Sequence, residues 1–529
     1  MTTKVKFIST KTYFKVLAFL IYLFIFLATA DGQTNQTYHL PNFTDTARMK
    51  KITGSFPVID KIFKEYAESN HLPGVAYGLV VDGKLVYKNN IGYTDIARKI
   101  PVTSSSLFRI ASMSKSFACM AILKLRDEGK LDLDDPAYKY IPELKNLKYP
   151  TTDAPHITIR HLMTHGAGFP EDNPWGDRQL SDTDKDLIDL IKKQLSFSNP
   201  PGIAYEYSNL GFALQGMIIT KVSGMPYQDY IKKNIWDPLG MKTTTYEYAD
   251  VAPGKLAHGY RWLNNKWNEE ELLHDTKDGS WGAMGAMISS IDEFAGYMAF
   301  HLSAWPPNNT KDDGPIKRSS VREMHHPWRW NGFNPNFKFP DGRNCAITSA
   351  YCYGLGWLKD CDGKTYIAHS GGLPGFGSQW RIMPDYGIGI VSFSNRTYAP
   401  MGFVNLQILD TIIKIAGLQP IQLPPSKILI QRKNELVKIL PDWNKAKESG
   451  IFAENFFPDN PIDSLRKTFL YLYKKAGSIT GVKEIIPENQ LRGSFIIEGE
   501  KTNIEVFFTL TPENPPLIQE LNARERIKN

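Results

Sequence analysis

The chain has 529 residues, more than one ordinary domain, so we expect a large domain followed by a smaller one. Hydrophobic residues make up 42% and charged residues 22% of it, which is typical of a globular protein with a core and excludes a disordered or fibrous chain. The net charge of +7 is spread along the sequence without a dense block of lysine and arginine, so no nucleic-acid partner is indicated.

The first thirty residues have the pattern of a secretory signal. Lysines at positions 4, 6, 11 and 15 precede an apolar run over residues 16–27, and Ala28-Thr29-Ala30 supplies a small-x-small end. We predict a signal peptide over residues 1–30, cleavage after Ala30, and a secreted, extracellular protein. The alternative is an uncleaved membrane anchor through residues 16–30, although this run is shorter than the roughly 20 apolar residues that usually span a bilayer.

Glycosylation sequons and cysteines fit the same route. Four Asn-X-Ser/Thr sequons are candidate acceptor sites: Asn35, Asn42, Asn308 and Asn395. Three cysteines lie close together and allow one disulfide with one thiol left over, the pairing among Cys345, Cys352 and Cys361 being open. Cys119 is predicted to be a small buried hydrophobe. No cysteine or histidine spacing indicates a metal site, and no cofactor is expected.

The predicted elements begin after a loose leader over residues 31–54. Alternating apolar residues from Gly74 to Tyr93, with Asp82-Gly83 between them, predict a β-hairpin. The pattern from Ser112 to about Phe300 is largely helical, and the helices over residues 116–129 and 210–224 each end on a glycine. Strands follow over residues 365–368, 377–383 and 387–392, and a helix over residues 404–416 closes the domain.

Strands at both ends with helices between them predict an α/β domain over residues 55–416. Its sheet is built from distant segments and carries a helical insertion, with the natural cleft where sheet and helices meet. Three prolines mark a linker over residues 417–426. Residues 427–529 then predict a small α+β domain, with an amphipathic helix from Asp463 to Ala476 and two strands around Gly499.

The first motif that carries chemistry is Ser112-Met113-Ser114-Lys115. A serine hydroxyl becomes nucleophilic when a base takes its proton, and three-residue spacing at a helix start places Ser112 and Lys115 on one face. A lysine is a base only when burial lowers its pKa toward the working pH. A second copy of the pattern, from Ser464 to Lys467, lies in the charged face of the C-terminal helix, where a solvated surface is expected.

Two further motifs follow in chain order. In Tyr207-Ser208-Asn209 the phenol can relay a proton, and the amide of Asn209 can hold both a lysine and a substrate carbonyl. His369-Ser370-Gly371-Gly372 lies at the end of a predicted strand, where small residues let a backbone edge approach a substrate and offer N–H groups to an oxyanion.

Together the three motifs resemble those of the serine β-lactamase and penicillin-binding-protein family, in the form of class C β-lactamases, D-aminopeptidases and related esterases. The segment from Ile157 to His165 and Pro238-Leu239-Gly240-Met241 extend the resemblance over roughly residues 55–415. It implies that Ser112 attacks the carbonyl while Lys115 and Tyr207 move protons. It also implies an oxyanion site from the N–H groups of Ser112 and Gly372, with Asn209 orienting Lys115 and substrate. Which of Lys115 and Tyr207 is the acylation base stays open.

The sequence departs from the lactam-hydrolysing members at His369, where they carry lysine. A lysine supplies a fixed positive charge for a substrate carboxylate, whereas histidine is expected to be only partly charged near neutrality. Efficient antibiotic hydrolysis is therefore not expected. We predict a serine hydrolase that cleaves small amide, peptide or ester substrates through an acyl-enzyme, with no nucleic-acid partner. The alternatives are a transacylase, or an inactive protein of the same fold that binds or scaffolds. Sequence does not choose the natural substrate or the oligomeric state.

Overall fold

The computed structural model describes residues 39–271 and 279–528. The chain divides into two compact units, a large one over Phe43–Gln422 and a small one that contains Leu423–Asn529. The predicted signal over residues 1–30 lies outside the described residues. Within residues 39–271 and 279–528, no helix combines the length and apolar character that crossing a bilayer requires.

The large unit contains both helices and strands. Its α-helices are α1 (Arg48–Thr53), α2 (Phe56–Ser69), α3 (Lys115–Asp127), α4 (Ile159–Met163), α5 (Asp184–Lys192), α6 (Asn209–Ser223), α7 (Tyr227–Ile231), α8 (Asp237–Leu239), α9 (Ile291–Ser303), α10 (Arg318–Met324) and α11 (Met401–Ala416). Its strands are β1 (Gly74–Val81), β2 (Lys84–Asp95), β3 (Ile100–Pro101), β4 (Phe108–Arg109), β5 (Tyr260–Leu263), β6 (Lys266–Glu269), β7 (Ile288–Ser289), β8 (Arg329–Asn334), β9 (Ile347–Tyr351), β10 (Gly356–Asp360), β11 (Thr365–Leu373), β12 (Phe376–Met383) and β13 (Ile388–Ser394).

A nine-stranded sheet in the order β3-β2-β1-β13-β12-β11-β10-β9-β8 forms the centre of this unit. The neighbouring strands pair antiparallel, and β1 from the N-terminal hairpin pairs with β13 from the other end of the unit. The predicted α/β class, with a sheet built from both ends of the domain and a helical subdomain, is therefore confirmed. One core lies between the sheet and the helices inserted between β3 and β8, and a second lies under α2 and α11 on the other face.

Strand β1 shows why the hairpin was predictable. Val75, Tyr77, Leu79 and Val81 all face the core under α2 and α11, as their alternation predicts. The intervening residues are small because the other face is buried as well. A Cβ at Gly78 would lie 2.7 Å from a methyl group of Ile291.

Helix α1 corrects the predicted loose leader over residues 31–54. The buried side chain of Arg48 donates hydrogen bonds to the carboxylate of Asp82 and to the backbone oxygen of Tyr386, which ties this segment to the sheet. The large unit accordingly begins at Phe43, not at residue 55. Polar residues such as Lys50 and Lys51 cover the exposed side of α1, so the sequence offered little apolar periodicity there.

The cysteine pairing left open by the sequence is Cys345–Cys361, a disulfide between the segment before β9 and the end of β10. Cys352 is a buried thiol, and Cys119 is also buried, as predicted. Both thiols lie in the core between the sheet and the inserted helices.

The small unit is α+β. Its helices are α12 (Lys427–Ile439), α13 (Phe456–Asp459) and α14 (Ile462–Ala476), and its strands are β14 (Ile479–Val482), β15 (Ile486–Asn489), β16 (Arg492–Gly499), β17 (Asn503–Leu510) and β18 (Ile518–Arg526). The strands form one sheet, β14-β16-β17-β18, with β15 also paired to β16. Phe469 and Leu472 of α14 are buried in the core of this unit, and Leu465 and Tyr473 pack against it.

Candidate active site

Ser112 lies in a tight turn between strand β4 and helix α3. Residues Ala111–Ser114 form a 3₁₀ turn, so the first α-helical residue is Lys115 and not Ser112. Ala111 has a φ of 51°, an unfavourable conformation for a side chain with a Cβ. The hydroxyl of Ser114 holds the turn, because it donates to Ala111 O at 2.7 Å and accepts from Met287 N at 3.1 Å. This turn presents the side chains of Ser112 and Lys115 on one side.

Lys115 is fully buried and has three partners. Its Nζ lies 3.0 Å from Ser112 Oγ, 2.7 Å from Asn209 Oδ1 and 2.8 Å from Met284 O. A neutral amine has two N–H groups and one lone pair. Two partners, the Asn209 and Met284 oxygens, can only accept, so the lone pair of a neutral Lys115 is left for the proton of Ser112. Burial lowers the pKa of Lys115 to about 7, against the opposing attraction of Asp177 and Asp172.

Tyr207 is the second proton-carrying group next to the nucleophile. Its hydroxyl is hydrogen-bonded to the Ser112 side chain, and its ring centroid lies 4.9 Å from Lys115 Nζ. Burial raises the pKa of Tyr207 well above its ordinary value, so the phenol keeps its proton near neutral pH. A neutral phenol can pass a proton on but is a poor base.

Asn209 is positioned by Asp172 and Asn173, in a loop that the sequence analysis did not identify. Its backbone N–H donates to Asp172 Oδ1 at 2.7 Å, and its Nδ2 donates to Asn173 Oδ1 at 2.7 Å. Asp172 Oδ2 also accepts from Leu210 N at 2.8 Å, so one carboxylate satisfies two backbone N–H groups at the start of α6. The amide orientation is therefore fixed, with Oδ1 toward Lys115.

Strand β11 brings the third motif, residues 369–372, against the turn that carries Ser112. A Cβ at Gly371 would lie 2.1 Å from Ile110 O, and a Cβ at Gly372 would lie 2.8 Å from the ring of Tyr398, so glycine is required at both positions. Pairing of β10 with β11 ends at Ala368. The backbone edge beyond Ala368 faces a cavity of about 600 Å³ that Ser112, Tyr207 and Gly372 line. The proposed oxyanion donors thus share one cavity with the side chain of Ser112.

His369 also lines this cavity, as expected, but its ring does not carry the partial positive charge that the sequence suggested. Its Nδ1 donates to Ser370 O at 2.6 Å, since that oxygen can only accept, and Tyr351 donates its hydroxyl to Nε2 at 2.8 Å. Burial, and after it the nearby Lys115, lowers the pKa of His369 to about 3. The ring is therefore neutral across the physiological range, and Tyr351 is a site residue that the sequence motifs did not reveal.

His165 is the other histidine beside the nucleophile. Its Nδ1 accepts from Ser208 N at 3.0 Å, its ring centroid lies 4.2 Å from that of Tyr207, and burial lowers its pKa well below the ordinary value. These contacts give His165 a structural role, because they hold the backbone of Ser208 and pack against the ring of Tyr207.

The predicted glycosylation sites differ in accessibility. Asn35 lies outside the described residues, Asn42 is exposed, and Asn308 is partly buried. Asn395 corrects the prediction, because its side chain is fully buried and its Nδ2 donates to three backbone carbonyl oxygens. A sugar on that nitrogen is incompatible with the folded chain.

This fold and this constellation are those of the serine β-lactamase and penicillin-binding-protein class, and comparison with known proteins agrees. A sequence model of the Beta-lactamase family matches residues 59–411. The chain belongs to this family.

Among curated relatives, Protein flp of Staphylococcus aureus (strain MW2) is 28% identical over 359 residues, which cover 66% of this chain and 66% of that protein. The chain thus spans slightly less than two thirds of that relative. Penicillin-binding protein 4* of Bacillus subtilis (strain 168) is 26% identical over 64% of this chain and 71% of that protein.

Two solved structures share the fold. An octameric penicillin-binding protein homologue from Pyrococcus abyssi has a TM-score of 0.57 at 20% identity, covering 89% of this chain and 96% of that one. A penicillin-binding protein from Bacillus halodurans has a TM-score of 0.52 at 21% identity, covering 67% of this chain and 98% of that one.

Proposed function

We propose that this protein is a secreted serine hydrolase that cleaves small amide, peptide or ester substrates through an acyl-enzyme on Ser112. The observation that carries the proposal is the buried Lys115, whose Nζ contacts Ser112 Oγ, Asn209 Oδ1 and Met284 O. Burying a lysine beside a serine is costly for a purely structural purpose, but it supplies a base near neutral pH. Family membership supports the same chemistry.

In the proposed mechanism Lys115, and not Tyr207, is the acylation base. The lone pair of neutral Lys115 takes the hydroxyl proton of Ser112 while Oγ forms a bond to the substrate carbonyl carbon. The N–H groups of Ser112 and Gly372 stabilise the negative oxygen of the tetrahedral intermediate. Tyr207, a neutral phenol in contact with Ser112, relays the proton from Lys115 to the leaving group as the bond to that group breaks.

Deacylation repeats these steps with water. Lys115 and Tyr207 take a proton from a water molecule, its oxygen attacks the acyl carbon, and Ser112 regains its proton as the acid departs. A transacylase would use every residue in the same way with an alcohol or amine in place of water. The two activities differ in the acceptor alone, so adding an acceptor to the assay separates them.

The inactive, scaffolding alternative is disfavoured by the intact set of Ser112, Lys115 and Tyr207 at contact distance. Secretion rests on the N-terminal signal pattern, and the Cys345–Cys361 disulfide fits an oxidising compartment.

Labelling with a fluorophosphonate probe and mapping of the modified residue tests the proposal. We expect label on Ser112. Ser112→Ala should abolish both labelling and ester turnover, with a loss of about 10⁶-fold in rate. The matched control is Ser464→Ala in the second serine-x-x-lysine pattern, which lies exposed on α14 and should leave both unchanged. Label on another residue, or Ser112→Ala activity within tenfold of wild type, would overturn the proposal.

A further inference from the structure

The cavity at the active site continues past the catalytic residues to the other face of the sheet. Residues on β11 alternate, so His369 and Gly371 face the inserted helices, whereas Tyr366, Ala368 and Ser370 face α11. Members of both sets line the same cavity. The two parts join over the backbone edge of β11 beyond Ala368, where pairing with β10 has ended.

Arg381 on β12 lines the far part of this cavity. Arg381 pairs directly with Ala368 of β11, and Gln379 pairs with Ser370. The side chains of Arg381 and Gln379 therefore lie on the face of the sheet that is turned toward α11, and both line the cavity. We call this far part the Arg381 lobe, defined by Tyr366, Ala368, Ser370, Gln379 and Arg381.

The guanidinium of Arg381 is a cation without a hydrogen-bonded counter-charge among the residues that the structure describes. Its Nε is buried and has no hydrogen-bond partner, and its Cζ lies 5.6 Å from the ring centroid of Tyr366. Burial lowers the pKa of Arg381 to about 10, so the group stays charged at neutral pH. A partly buried guanidinium without a hydrogen-bonded counter-charge is a strong donor site for an anion.

The carboxylate that attracts Arg381 is engaged elsewhere. Asp410 attracts Arg381 electrostatically, but its oxygens accept from the Tyr366 hydroxyl at 3.0 Å and from Arg343 at 3.3 Å. The side-chain oxygen of Gln379 is likewise occupied, since it accepts from Asn405. Arg381 is therefore the charged donor of the Arg381 lobe.

We propose that Arg381 binds a carboxylate of the substrate at the end of the cavity remote from Ser112. This inference rests on the proposed function, because it names the substrate class of the same site. Ala368, opposite Arg381, precedes Gly372 by four residues, or roughly 13 Å of extended strand. Because Arg381 also lies on the opposite face of the sheet from Ser112, the scissile carbonyl and the carboxylate are separated by a chain of at least about eight methylene groups or three to four extended residues.

The position of this carboxylate distinguishes it from that of a lactam antibiotic. In a penicillin the carboxylate lies a few bonds from the scissile amide, where this chain offers neutral His369. Arg381 serves instead a longer substrate that crosses the edge of β11 to the other face of the sheet.

The test compares p-nitrophenyl esters whose acyl chains end in a carboxylate with matched esters that end in a carboxamide, at about four and about eight methylene groups. For wild type we expect kcat/KM to favour the carboxylate about tenfold or more at the longer length, as charge-assisted hydrogen bonds imply, and not at the shorter one. The preference should fall as salt is added.

Arg381→Gln should reduce the carboxylate preference to near one, and Arg381→Met, which keeps the apolar stem over Tyr366, should do the same. The matched control is Lys359→Gln, which removes an exposed positive charge from neighbouring β10 and should keep the preference. Fluorophosphonate labelling of Ser112 identifies variants that fold.

Three results would overturn the inference. The first is wild-type hydrolysis of the carboxamide esters without a carboxylate preference at the longer length, which leaves the proposed function standing. The second is a preference that survives in Arg381→Gln or Arg381→Met. The third is the absence of Ser112-dependent hydrolysis of every ester, which removes the proposed function as well.

Discussion

The carboxylate of Asp172 accepts a 2.7 Å hydrogen bond from the backbone of Asn209, the residue whose side-chain oxygen holds Lys115. Asp172 therefore acts in two ways on Lys115, the base of the proposed mechanism: through the position of Asn209 and through its charge. It raises the pKa of Lys115 against the larger opposing effect of burial.

Asp172→Asn should separate these two effects. Loss of positioning should lower kcat/KM for a neutral ester by about 10- to 100-fold. Loss of the negative charge should also move the apparent pKa of the rate profile below that of wild type, because one group that stabilises the protonated lysine is gone. Profiles of kcat/KM against pH measure both. Asp189→Asn, which changes a partly exposed carboxylate on α5 that is paired with Lys185, is the control. A slower variant with an unmoved profile would confine Asp172 to a structural role.

The mechanism predicts a pH dependence set by Lys115. Only the neutral amine takes the serine proton, and its pKa is lowered to about 7. Below that pH, kcat/KM for p-nitrophenyl acetate should fall about tenfold per pH unit, and above it the rate should level off. Tyr207→Phe should be slower but keep this ascending limb. A limb that disappears in Tyr207→Phe and persists in Lys115→Met would make Tyr207 the base.

His369 predicts the response to lactams. Because its pKa is lowered to about 3, the ring stays neutral at both pH 5.5 and pH 8, and neutral esters should be better substrates than penicillins at each of them. His369→Lys should raise kcat/KM for penicillins relative to neutral esters, by a similar factor at both pH values. A wild-type enzyme that hydrolyses penicillins as fast as esters would show that the carboxylate does not face this position.

Processing and glycosylation can be read from protein made in the native host. The mature chain should begin near Asp31, with sugar on at least one of Asn35, Asn42 and Asn308 and none on Asn395, whose amide is buried. N-terminal sequencing and glycopeptide mapping check these points. A retained Met1 on membrane-bound protein would favour the anchor, and sugar on Asn395 would mean that modification precedes folding.

Much of the fold was predictable because its strands and helices carry strong local patterns. The alternation in β1 and the glycine stops after α3 and α6 appear in the structure within a few residues of their predicted positions. The predicted pair of strands around Gly499 also appears, as β16 and β17. Strand β18 was missed, because its sequence from Ile518 to Arg526 is mostly polar and exposed and lacks alternation.

The three motifs were visible because their chemistry is tied to short spacing, whereas their supports were not. Asp172 and Tyr351 act through contacts with residues 37 and 18 positions away, and nothing in a single sequence reports such contacts. The same limit applies to Arg381, because a single sequence does not report that its Nε is buried without a hydrogen-bond partner or that its side chain lines the cavity. The neutral state of His369 likewise depends on burial, which arises only when the strands and helices around the cavity have packed together.

The contact between Ser378 Oγ and Ile110 O joins residues 268 positions apart, and it clamps strand β12 to the turn that carries the nucleophile. During synthesis the chain therefore carries Ser112 and Lys115 long before the strand that completes their pocket has been made. A chain that ends before β11 and β12 lacks the strand edge that, in the proposed mechanism, holds the oxyanion next to Ser112. Under the proposed mechanism, acylation of Ser112 therefore requires that the last strands of the sheet have joined the first, and we expect a chain still being synthesised to be inactive.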